Sequence, residues 1–159
     1  MLHKLMKTTD DLTLTILRLV LGAVFFAHGA QKALGWFGGY GFSGTMGFFT
    51  QQMHIPAPFA FLAIAAEFLG SIGLVLGLLG RVAACGIACN MVVAISMVHR
   101  HFGIFANWSG TQKGEGFEYH LLAIAIALVI MAKGSGAFSL DRALSKSSAR
   151  PLSKSSVGR

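Results

Sequence analysis

Glu67 is a lone carboxylate inside the apolar run from Pro58 to Leu79. A hydrocarbon core of about 30 Å is spanned by about 20 apolar residues, so the run is long enough to cross a bilayer. A carboxylate at its midpoint costs about 2.5–3.5 kcal/mol on insertion scales. Such a group needs a partner and marks a functional site. Arg18, in an earlier apolar run, is the matching cation. At a helical rise of about 1.5 Å per residue, Arg18 lies about 9 Å from the start of its run and Glu67 about 14 Å from the opposite face. The axial gap is then about 7 Å, within reach of an Arg side chain. An Arg18–Glu67 ion pair between the first two helices is therefore expected, either to lock the bundle or to polarise and protonate a bound ligand.

Imidazoles supply the second group. His28, His99 and His120 fall at one level near the outer ends of three helices, with His101, Glu118 and Tyr119 close in depth. Imidazoles there can hold a quinone carbonyl, pass protons, or ligate a metal or haem. His99 and His101 are about 200° apart on a helix, so at most one faces the bundle centre. No compact metal motif such as HExxH occurs. Asn90 is polar in mid-span and suits an interhelical hydrogen bond. Cys85 and Cys89 share another helix face and read as small packing residues. On this reading Glu67, Arg18 and His28 form the reactive centre. His120, His99, Glu118 and Asn90 hold a ligand, and His28, His99 and His120 are the candidate metal ligands.

The elements that position these groups are helices. The chain has 159 residues, 54% of them hydrophobic and 12% charged, with mean hydropathy +0.65. Soluble domains carry about 25% charged residues, so an all-α integral membrane four-helix bundle is expected. Spans are read at 12–34, 58–79, 82–99 and 117–132, linked at Gly80-Arg81 and by the polar loop 103–116. Residues 1–11 form a cytoplasmic N-terminus with no cleavable signal peptide, and 134–159 a polar cytoplasmic tail expected to be disordered. A stripe of small residues, Ala66, Gly70, Gly73, Gly77 and Gly80, marks a close helix contact. Trp36, Phe37 and Tyr40 suit the headgroup belt, and a short interfacial helix is expected between Phe42 and Ile55. With the N-terminus inside, 9 Lys and Arg lie inside and 3 outside, which favours both termini in the cytoplasm. The net charge of +7 is concentrated in tails and gives no sign of nucleic-acid binding.

Several segments resemble one family. Leu17-Arg-Leu-Val-Leu-Gly-Ala-Val-Phe-Phe-Ala-His-Gly-Ala-Gln-Lys-Ala-Leu-Gly-Trp-Phe-Gly-Gly-Tyr-Gly is similar to the first-helix signature of the DoxX family. Ala66-Glu-Phe-Leu-Gly and Leu76-Gly-Leu-Leu-Gly-Arg81 resemble its second-helix signature, with Leu69-Gly70-Ser71 where a Gly pair is commoner. Gly116-Phe-Glu-Tyr119 and Gly136-Ala-Phe-Ser-Leu-Asp141 resemble the start and end of its fourth helix. The resemblance implies a small four-helix protein of the bacterial inner membrane. Some members are subunits of thiosulfate:quinone oxidoreductase or terminal quinol oxidase complexes, and others belong to oxidative-stress complexes. It singles out Arg18, His28, Lys32, Glu67, Glu118 and Asp141. The leading expectation is an oxidoreductase component that binds a quinone in the bundle and meets lipid, a redox-enzyme subunit and further copies of itself. Glu67 with Arg18 is its buried centre, and His28 with Glu118 or His120 its outer proton exit. The alternative is a non-enzymatic scaffold or chaperone that docks a redox enzyme, or a small-solute carrier.

Overall fold

The computed structural model describes residues 5–148, and no strand occurs among them. Helix α1 spans Leu12–Leu34. The Asp11 carboxylate caps it by accepting from Thr13 N at 2.8 Å, and Gly35 ends it in the left-handed region at φ 75°. A short helix α2, Gly41–Gly47, runs directly into a π-helical turn, Phe48–Gln52. Pro56 then starts α3, Ala57–Leu76. Gly77, at φ 67°, stops α3 three residues before α4, Gly80–Met97. After a 3₁₀ turn, His99–Phe102, and a long loop come α5, Glu118–Lys133, and α6, Leu140–Ser148.

Four of these helices close into an antiparallel ring. α1 and α4 each pack on both α3 and α5. Phe25, Leu74, Ile87 and Ile130 fill the centre, each fully buried. The outward faces carry Leu19, Leu62, Leu69, Val92 and Leu122, as expected where the surrounding solvent is hydrocarbon. Helices α1, α3 and α4 are long and apolar enough to cross a membrane. At 16 residues, α5 is about 24 Å long.

Glycines set the level at which α1 meets α3. A methyl group added at Gly29 would lie 2.6 Å from Phe68 Cα, so the two backbones touch there. One at Gly22 would meet Val75. This antiparallel register places Glu67 beside Gly29 and Arg18 beside Gly77, whose added methyl would lie 3.1 Å from the Arg18 guanidinium carbon. The expected small-residue stripe packs mainly on α4, with Gly86 against Ala66 and Gly70 against Ala83.

The segment after α5 departs from the expected disordered tail. Residues 134–148 turn back across the end of the bundle that carries the N-terminal segment, and finish as α6. Ser135 and Asp141 are fully buried. Asp141 accepts from Leu79 N at 2.7 Å, from Gly80 N at 3.1 Å and from Ser135 Oγ at 2.6 Å, which caps the start of α4. The segment is polar because it supplies hydrogen bonds to helix ends. Residues 149–159 lie outside the described residues.

Candidate functional site

Arg18 and Glu67 do not form the expected pair. Their levels in the α1–α3 register differ by about twelve residues, or about 18 Å. The guanidinium of Arg18 donates instead to four carbonyls: Leu74 O at 2.5 Å, Val75 O at 2.6 Å, Ser135 O at 2.9 Å and Phe138 O at 2.9 Å. Two of these carbonyls lie in the last turn of α3, where the helix dipole favours a cation; Leu74 O also accepts from Gly77 N at 3.1 Å. Arg18 thus joins α1, the end of α3 and the returning segment, remote from the groups of the opposite end.

Glu67 is 5% exposed and takes both its partners from that opposite end. Lys32 Nζ donates to Oε2 at 2.5 Å, and Asn90 Nδ2 donates to Oε1 at 2.9 Å. Asn90 Nδ2 also donates to Ala63 O at 3.1 Å. One carboxylate therefore ties α1, α3 and α4 together, and Asn90 makes the interhelical bond expected of it. Lys32 was singled out through the family resemblance, but its pairing with Glu67 was not anticipated. The register explains the match, because Lys32 lies one turn beyond His28 on the face that meets Glu67.

These groups line a cavity of about 500 Å³. Phe25, Met91, Ala94 and Met97 form apolar wall, and Phe48, Phe49, Met53 and Ile55 cover it from the π-helical turn and the stretch that follows. Lys32, Glu67 and Asn90 line it. His28, Tyr119, His120 and His99 line it as well, so all three expected histidines border one space. Their rings follow one another along the wall, with centroids 6.2 Å apart for His28 and Tyr119, 5.5 Å for Tyr119 and His120, and 4.0 Å for His120 and His99. His99 Nδ1 lies 2.8 Å from Glu115 O. A carbonyl only accepts, so Nδ1 carries the proton and Nε2 of the neutral ring is left as an acceptor. His120 is buried, and its Nδ1 has no hydrogen-bond partner.

Glu118 is placed elsewhere. Its Oε1 accepts from Ala106 N at 3.1 Å and from Trp108 Nε1 at 3.2 Å, so it braces the loop before α5. His101 is exposed. Cys85 and Cys89 are free and exposed on the outer face of α4. Among the described residues, no three His, Cys, Asp or Glu side chains converge as a metal-holding set. Of the expected metal trio, His99 and His120 are adjacent, and the Tyr119 ring lies beside both His28 and His120.

The fold and cavity define a small helical multi-pass membrane protein with a polar pocket between its helices. The chain belongs to the DoxX family, whose model matches residues 13–100. It is also similar to a protein of Bacillus subtilis (strain 168) named "Putative oxidoreductase CatD", at 28% identity over 136 residues, covering 86% of this chain and 90% of the relative. No solved structure matches it.

Proposed function

We propose that this protein is an inner-membrane component of an oxidoreductase system and that its cavity binds a quinone or a similar small amphipathic ligand. The observation that carries the reading is the cavity itself. Its volume of about 500 Å³ falls in the ordinary range for small-molecule sites, and apolar walls with a few convergent polar groups suit a ring of mixed character. The name of the Bacillus relative supports a redox setting. The sequence carries no flavin or phosphate-binding fingerprint, so the electron carrier of such a system is a diffusible lipid, a metal or a group of a partner subunit. Both termini face the cytoplasm, in keeping with the distribution of Lys and Arg.

The test is the lipid content of gently purified protein, measured by mass spectrometry after solvent extraction. Wild type should carry a quinone in a fixed ratio to protein. Ala94→Phe, which fills the cavity from α4, should remove it without loss of fold. Wild-type protein that is folded but free of ligand would refute the reading and leave the scaffold role.

A further inference from the structure

Hydrogen-bond bookkeeping around the cavity separates groups that are used from groups that are free. Each oxygen of Glu67 accepts one hydrogen bond, one from Lys32 and one from Asn90. The Lys32 ammonium has three N–H donors, of which the structure commits one. The two amide hydrogens of Asn90 go to Glu67 and to Ala63 O, which leaves its Oδ1 to accept. This side of the cavity therefore offers a ligand one strong donor and one acceptor. The His99–His120 side offers the Nε2 acceptor of His99 and the imidazole of His120, which lines the cavity.

We infer that the cavity has two polar anchors, Lys32 with Asn90 and His120 with His99, and that it selects a ring carrying an oxygen at each of two opposite edges. This deepens the proposed function and rests on it. Each anchor presents both a donor and an acceptor, because the His120 imidazole donates or accepts at a given nitrogen with its tautomer. The site therefore accepts carbonyl and hydroxyl forms of the same ring, held in one orientation. A ligand with a single polar head, such as a fatty alcohol or an alkylphenol, satisfies one anchor and leaves the other bare. Glu67 acts as a positioning residue, holding Lys32 and Asn90 in place.

The test compares two probes of matched tail, a decyl-tailed 1,4-benzoquinone and decylphenol. Each is titrated into full-length protein in lipid nanodiscs, with empty nanodiscs as background. Wild type should bind the quinone about 10-fold or more tighter than the phenol, the equivalent of about one hydrogen-bond anchor. His120→Phe keeps ring volume but removes the nitrogens, and should bring the two affinities to within about 2-fold of each other. His120→Gln, which restores a donor and an acceptor, should recover part of the preference. Lys32→Met alone strands Glu67, so the double variant Lys32→Met, Glu67→Gln is used, with the same loss of preference expected. His54→Ala, exposed and outside the wall, should change nothing. If the folded His120→Phe and double variants keep the wild-type preference, the anchors are misassigned. If wild type binds both probes equally and Ala94→Phe abolishes both, the anchors are wrong while the ligand cavity stands. If wild type binds neither probe, the proposed function falls and the anchors fall with it.

Discussion

The Lys32–Glu67 pair makes a sharp quantitative prediction. The Glu67 side chain is 6% exposed and that of Lys32 27%, so the two ends of the pair are unequally buried. Lys32→Met would leave a carboxylate in the bundle with Asn90 as its one donor. Breaking a buried pair in this way costs about 3–5 kcal/mol. Glu67→Gln would leave the more exposed partner, the Lys32 ammonium, and the loss should be smaller, about 1–2 kcal/mol. The double variant removes both charges and should return close to wild type. For a chain of this size each kcal/mol moves the melting temperature by about 2–4 °C. Lys32→Met should therefore melt about 6–20 °C lower, and the double variant within about 4 °C of wild type. The assay is thermal unfolding in detergent, followed by circular dichroism on all four proteins. Simple addition of the two single losses in the double variant would show that the charges do not meet, and would refute the register argument. The same cycle on Arg18→Gln and Glu67→Gln should be additive, since about 18 Å separates those levels.

Three further outcomes are expected. Gly29→Val should force α1 off α3, because its Cβ would lie 2.6 Å from Phe68 Cα; a loss of several kcal/mol, read as reduced melting temperature and expression, checks this. Asp141→Ala strips acceptors from Leu79 N, Gly80 N and Ser135 Oγ. It should cost about 3–5 kcal/mol and expose residues 134–148 to limited proteolysis before the helical core is cut. A reporter active only in the cytoplasm, fused to Arg159, should give signal, and periplasmic labelling of the same end would overturn the proposed orientation.

Residue type and hydrophobic runs carried much of this architecture. Apolar length located the helices, and rarity located Glu67, Asn90 and the histidines, because a polar group in an apolar span has few neutral explanations. The partners were not legible for a geometric reason. Depth counted from the ends of a run assumes that both helices start at the membrane face, whereas the contacts at Gly22 and Gly29 fix the true register. The expected gap of about 7 Å between the levels of Arg18 and Glu67 is about 18 Å in this register, a difference of about seven residues, and Lys32 stands at the side of Glu67 instead. Arg18 was misread for a second reason. Its acceptors are backbone carbonyls, and every residue has one, so no side-chain pattern announces them. Residues 134–148 fell to the same blind spot. Ser135, Ser139 and Asp141 look like a soluble tail by composition, yet each bonds to backbone or to another member of the segment.

The four carbonyls around Arg18 also impose an order on synthesis. The ribosome makes α1 first, and its arginine enters the membrane more than a hundred residues before Ser135 and Phe138 exist to receive it. Leu74 and Val75 arrive in between. Throughout that interval a cation in the first helix is only partly satisfied, and the helix pair it belongs to is held open to rearrangement. Completion of the last segment closes the cage. A chain that stops before Ser135 therefore lacks two of the four carbonyls that receive Arg18.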